Sequence, residues 1–233
     1  MKSMYEIFYD ENVLNIFSDA SLRHRGRTQD ICYGAIAVNR DTIIDSECRI
    51  NSDATSNWGE LKGMLTAVYM AVKYKDKFPI INIFCDSLYT VDTMNKYYKN
   101  WRINEEGIAY NKNELVPNQS PVIESIKVII DNDLHVNIFH QKGHVELKDF
   151  RSIQNATDVF SRTNYIRRKI DYAFIRYISG FNDIIDNYTR STLLRFNTLD
   201  ERIVCPFESV FRNPEELNIY RQEYFDSKDI VYM

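Results

Sequence analysis

No stretch of the chain approaches the ~20 consecutive apolar residues that a membrane-spanning helix requires. The opening residues Met1-Lys2-Ser3-Met4-Tyr5-Glu6 lack the apolar core of a secretory signal. Both absences point to a cytoplasmic protein without membrane association. Cysteine is sparse. Cys32, Cys48, Cys85 and Cys205 form no CxxC pair and no Cys/His zinc spacing. Buried free thiols in a reducing compartment are therefore expected. A basic excess is also missing. The formal net charge is −4, so overall charge makes no case for nucleic acid, and any electropositive footprint must be local. Glycine and proline are scarce, and neither an internal repeat nor a low-complexity tract is present.

What is present reads as an α/β domain. With 233 residues, 44% of them hydrophobic, the chain can bury one substantial core plus an appendage. Residues 13–18 form an apolar strand. Residues 31–38 and 42–50 are two more, joined by the short polar break Asn39-Arg40-Asp41, as in a hairpin. From Asn57 the period changes. Trp58, Leu61, Leu65, Val68 and Val72 recur at spacings of three and four, the stripe of an amphipathic helix. A fourth strand at 80–85 and a helix from Ser87 to Trp101 follow. Residues 102–120 read as polar and irregular, and Pro121 suits the first turn of a helix running to about Ile130. A fifth strand spans 134–139, residues 141–151 form a loop, and a helix begins near Ser152 or Asn155. The order β-β-β-α-β-α-α-β-α implies a mixed sheet flanked by helices. Residues 1–11 read as a lead-in, 12–165 as the main domain, and 166–233 as a partly helical C-terminal extension. Within that extension, the acidic segment 200–233 shows no periodicity.

Four carboxylates occupy matching settings. Asp19 closes the run Val13-Leu14-Asn15-Ile16-Phe17-Ser18, and Asp86 closes Ile80-Ile81-Asn82-Ile83-Phe84-Cys85. Glu60 and Asp158 each lie near a helix start. Each of these two has a plainer explanation. Glu60 follows Asn57 by three residues and Asp158 follows Asn155 by three, as in a capping box. That explanation leaves Asp19 and Asp86 unaccounted for. Four clustered acids repel one another unless a hard divalent cation sits among their oxygens. Paired cations of this kind serve displacement at phosphorus.

These residues fall into a recognisable order. Ile16-Phe17-Ser18-Asp19-Ala20-Ser21, Thr55-Ser56-Asn57-Trp58-Gly59-Glu60-Leu61, Cys85-Asp86-Ser87-Leu88-Tyr89, Lys142-Gly143-His144 and Asn155-Ala156-Thr157-Asp158 resemble, in sequence, five motifs of type 1 ribonuclease H. The resemblance covers about two-thirds of the chain. It implies a ribonuclease H-like five-stranded mixed sheet and hydrolysis of the RNA strand of RNA/DNA hybrids. It also implies that Asp19, Glu60, Asp86 and Asp158 hold two Mg²⁺ or Mn²⁺ ions, with His144 assisting proton movement or product departure. Ser21, Ser56, Asn57, Tyr97, Lys99 and Trp101 are the expected substrate contacts.

The sequence departs from the family pattern at three places. Ser56 stands where an Asn is usual, and Leu88 where some members have a Gln. The segment after the second helix, where the family grips its DNA strand, carries Glu105, Glu106 and Glu114 against Lys112. Two other readings keep the fold: a DNA-cutting resolvase or integrase-like nuclease, and a non-catalytic nucleic-acid-binding module. Asp19-Ala20-Ser21 lacks the Asp-x-Glu of proofreading nucleases. Arg162, Arg167, Arg168 and Lys169 either extend the electrostatic footprint or are simply solvated. Tyr172, Phe174, Ile175, Tyr177, Ile178 and Phe181 are too apolar to stay exposed together, so the extension packs on the domain or on a protein partner.

Overall fold

The computed structural model describes residues 2–25, 28–52 and 54–196. Its main sheet has five strands: β1 (Val13–Arg25), β2 (Thr28–Asn39), β3 (Thr42–Ser52), β4 (Ile80–Cys85) and β8 (Val136–His140). Their order is β3-β2-β1-β4-β8. β1 pairs antiparallel with β2 and parallel with β4, and β4 pairs parallel with β8. The expected mixed five-stranded sheet is therefore found. β1 does not end at Asp19. It continues to Arg25 because the β1–β2 hairpin goes on pairing, Leu22 opposite Ile31 and Arg23 opposite Asp30. Backbone hydrogen bonds to β2 carry the strand past the point where its apolar run stops.

One face is covered by α2 (Ser56–Tyr74), α3 (Leu88–Asn95) and α4 (Gln119–Asp131). Leu14, Ile16, Ile81 and Ile83 meet Leu61, Met64, Val68, Val91, Met94 and Val122 there. The helix expected to reach Trp101 stops at Asn95 and gives way to a 3-10 turn over Tyr97–Asn100. Residues 102–120, expected to be irregular, contain a small antiparallel sheet of β5 (Arg102–Ile103), β6 (Ala109–Asn111) and β7 (Glu114–Leu115). Two- and three-residue strands are too short to leave an alternation that a sequence reading can detect.

The opposite face is covered by α6 (Tyr172–Phe196), a helix of 25 residues, with α1 (Met4–Phe8) and α5 (Phe150–Thr163) beside it. Phe8, Phe17, Phe84, Phe139, Phe160, Phe174, Tyr177 and Phe181 share one aromatic core. α6, expected within the C-terminal extension, packs on the main domain, one of the two placements its apolar residues allowed, and Met4 and Phe8 of the lead-in are buried in the same core. Residues 200–233, read above as an acidic tail, lie outside the described residues.

A ladder of asparagines fixes the register of the central strands. Asn15, Asn82 and Asn137 are opposite one another on β1, β4 and β8. The Asn137 amide donates to Asn82 Oδ1 and the Asn82 amide to Asn15 Oδ1, both at 3.0 Å. Asn15 donates in turn to the Phe8 carbonyl (2.7 Å) and the Tyr177 hydroxyl (3.0 Å). A slip of one residue would put the buried Asn15 and Asn82 amides on the other face without these partners. Along this face, with the two-residue period of a strand, Phe17 and Phe84 come next and stack at 5.0 Å. Asp19 and Asp86 come after them.

Candidate active site

Asp19 and Asp86 sit one step past the last parallel pair, Ser18 opposite Cys85. Two adjacent strands thus bring the two carboxylates side by side on the α6 face. Glu60 arrives from the other side, on α2. Gly59 permits the close approach: a Cβ there would collide with the Ile31 side chain on β2. The capping explanation for Glu60 does not hold. Thr55 caps α2, its side chain accepting from the Trp58 amide, so Glu60 lies in the second turn. Candidate ligand atoms of Glu60, Cys85 and Asp86 all lie within 4.8 Å of one another.

Burial and mutual repulsion dominate the electrostatics. Asp19 is 5% exposed. Burial first, then the charges of Glu60, Asp86 and Asp186, push its carboxyl well above the usual range. Burial and Asp86 do the same to Glu60. Burial also raises Asp86, against an Asn182 hydrogen bond and the nearby His144, which favour its charged form. The fully buried Cys85 thiol is pushed up by burial and by these acids. It therefore stays protonated and donates to Glu60 Oε2 at 3.9 Å. The donor set is oxygen-rich and electrostatically unsatisfied, which fits a hard divalent cation such as Mg²⁺ or Mn²⁺ and does not suit a thiolate-binding metal.

The fourth carboxylate acting on all three is Asp186 of α6, a residue not singled out in the sequence. Helix and strand advance together here. Tyr177 reaches Asn15, Phe181 stacks on Phe17 at 5.3 Å, and Thr189 Oγ1 is 2.9 Å from Ser21 Oγ. Twelve helical residues rise ~18 Å and six strand residues ~20 Å. Interpolating between these contacts sets the turn with Asn182 and Asp186 over Asp19 and Asp86. The Asn182 amide donates to Asp86 Oδ2 (3.4 Å), and Asn182 itself accepts from buried Gln141 (2.6 Å). Asp186 is also paired with Arg190 at 2.7 Å.

Asp158 is placed elsewhere. It is exposed in the third turn of α5, whose N-cap is Asp149, and accepts from Gln154 at 3.0 Å. His144, exposed with a left-handed φ of 51°, stands within electrostatic reach of Asp86. The preceding Gly143 lies against Asp86, and a Cβ there would strike Oδ2. Among the expected substrate contacts, Ser56 and Asn57 are exposed in the first turn of α2, and Tyr97 and Lys99 are exposed beyond α3. Trp101 packs half-buried on the second core, and Ser21 is engaged with α6.

A five-stranded mixed sheet with helices on both faces, and acids where its two central parallel strands end, define a ribonuclease H-like domain. Residues 11–158, well over half of the chain, match the RNase H family model, so the chain belongs to the RNase H family and is a ribonuclease H-type endoribonuclease. That match ends before α6 begins. No curated protein matches the chain. Among solved structures, RNase H1 from the halophilic archaeon Halobacterium salinarum NRC-1 is similar at 16% identity, over 64% of this chain and 93% of that one, with a TM-score of 0.40. The RNase H domain of PFV is similar at 17% identity, over 66% and 94%, with a TM-score of 0.47. LC11-RNase H1 in complex with RNA/DNA hybrid is similar at 12% identity, over 64% and 97%, with a TM-score of 0.43.

Proposed function

We propose that this protein hydrolyses the RNA strand of RNA/DNA hybrids, with Asp19, Glu60, Asp86 and Asp186 holding two divalent cations, Mg²⁺ or Mn²⁺. The observation that carries this reading is the convergence of buried and half-buried acids, in a chain of the RNase H family, with no Lys or Arg ion pair to Asp19, Glu60 or Asp86 among the described residues. Cations bound there would supply the charge that activates water and stabilises the scissile phosphate and leaving oxygen. The chain's own residues do the rest. Asn182 and Gln141 orient Asp86. Gly143 lets the His144 loop approach Asp86, where His144 would carry a proton at the solvent edge. Ser56 and Asn57, about one helical turn before Glu60, would meet the sugar edge of the substrate, whose 2′-hydroxyl distinguishes RNA from DNA. Tyr97 and Lys99 would contact the other strand through stacking and charge.

The test is cleavage of one end-labelled sequence as hybrid, duplex RNA, duplex DNA and single strands, in Mg²⁺, Mn²⁺ and EDTA, beside Asp86→Asn. The expected result is metal-dependent cutting of the RNA strand in the hybrid alone, lost in the variant. Cutting of DNA would move the protein to the recombination nucleases. Binding without any cutting would make it a non-catalytic module.

A further inference from the structure

Between the His144 loop and α6 the chain inserts α5 and a connector, residues 164–171, that the acid site itself does not use. Its sequence is Asn-Tyr-Ile-Arg-Arg-Lys-Ile-Asp. Ile166 and Ile170 pack against the aromatic core. Arg167, Arg168 and Lys169, held between those two anchors, are all exposed, and none has an ion pair among the described residues. The nearest acid in sequence, Asp171, is turned away. Its carboxylate accepts from the Phe174 amide (2.9 Å) and the Tyr5 amide (3.1 Å).

The connector's shape is fixed on both sides. Ser161 Oγ donates to the Ile166 carbonyl (2.8 Å), and the Ile166 amide donates to the Ser161 carbonyl (2.9 Å). Tyr165 holds a left-handed φ of 56°, which a non-glycine residue keeps only where its contacts enforce it. Lys96, at the end of α3, stands over its ring at 5.1 Å and reaches its hydroxyl at 3.3 Å. The connector is also tied to the acid site. The His140 ring bridges the Asp86 carbonyl (3.2 Å) and the Thr163 hydroxyl (3.0 Å), while Asn164 makes two hydrogen bonds to the His140 backbone. From Thr163 to Arg167 the chain can span at most ~14 Å, less than the width of a nucleic-acid duplex.

We propose that Arg167, Arg168 and Lys169 form a phosphate-backbone contact surface for the nucleic-acid duplex engaged at the acid site. The inference rests on the hybrid-cleaving role proposed above and adds a binding surface to it. Three cations on an anchored loop lose little conformational freedom on binding, and each phosphate they neutralise releases counterions. The test compares wild type with Arg167→Gln/Arg168→Gln/Lys169→Gln, and with Lys127→Gln on α4 as control. Affinity for a labelled hybrid is read by anisotropy in EDTA over a series of salt concentrations, and steady-state cleavage is read in Mg²⁺. The slope of log affinity against log salt should fall by about 2–3 in the triple variant, at ~0.9 per phosphate contact. KM should rise at least ~10-fold with kcat unchanged, and the control should match wild type. An unchanged slope and KM, in a protein that binds and cuts hybrid, would overturn the proposal and leave the catalytic reading standing. A wild type that binds no nucleic acid would remove both.

Discussion

Glu60→Gln should stabilise the cation-free protein. Glu60 and Asp86 present ligand atoms within 4.8 Å of each other. Two unit charges at that separation repel by roughly 3–4 kcal/mol at an effective dielectric near 20. The folded protein escapes part of this cost by retaining protons that the unfolded chain releases, so the realised gain from removing one carboxylate is about 1–3 kcal/mol. For a domain of this size that is a rise in Tm of about 3–10 °C. The sign with pH follows from the raised carboxyls of Asp19, Glu60 and Asp86. At these three groups the native state binds more protons than the unfolded state, so their contribution to stability is fully present at acid pH and is lost as pH rises through the raised values. The variant should flatten that slope. Adding Mg²⁺ should reverse the order, because wild type gains stability by mass action and the variant gains less. The assay is thermal unfolding in EDTA and in Mg²⁺ at about pH 5.5 and about pH 8. A variant no more stable than wild type in EDTA at the higher pH, with an unchanged slope, would refute the reasoning.

Three further outcomes follow from particular contacts. Gly143→Ala should lower kcat by on the order of 10²-fold with little change in Tm, because the added methyl displaces the Asp86 carboxylate while the backbone there needs no left-handed φ. Asn82→Ala should cost about 2–3 kcal/mol in denaturant unfolding, since buried Asn15 Oδ1 loses its donor. Tyr97→Ala should weaken hybrid binding at constant stability, whereas Trp101→Ala should lower the unfolding midpoint first, because Trp101 packs on the core and Tyr97 is exposed.

The sheet was legible because its strands are short apolar runs bounded by polar breaks. Asp19 and Asp86 stand out because each closes such a run. The extent of β1 was not legible. Asp19-Ala20-Ser21-Leu22 carries no apolar run of its own and becomes strand only through pairing with β2. The small sheet at 102–115 was hidden by its short strands. The last helix was read as an appendage because the insertion holding α5 separates it from the rest of the fold. A signal for Asp186 does exist in the sequence. Phe174, Ile178, Phe181, Ile185 and Tyr188 recur at spacings of four and three, and Asn182, Asp186 and Thr189 run one position to the side of that stripe. Polar residues bordering the apolar stripe of a long helix lie at the margin of a core, where a strand-end acid can meet them. Asn155 and Asp158 have the expected spacing, but they lie on the exposed face of α5, whose opposite face carries Ile153, Ala156 and Phe160 into the aromatic core.

The most direct measurement is a side-by-side comparison of Asp186→Asn and Asp158→Asn, each assayed for hybrid cleavage in Mg²⁺ and for Mn²⁺ binding by calorimetry. The account predicts that Asp186→Asn loses on the order of 10²-fold or more of kcat and weakens Mn²⁺ binding, while Asp158→Asn stays within about threefold of wild type on both. An inactive Asp158→Asn beside a fully active Asp186→Asn would contradict it.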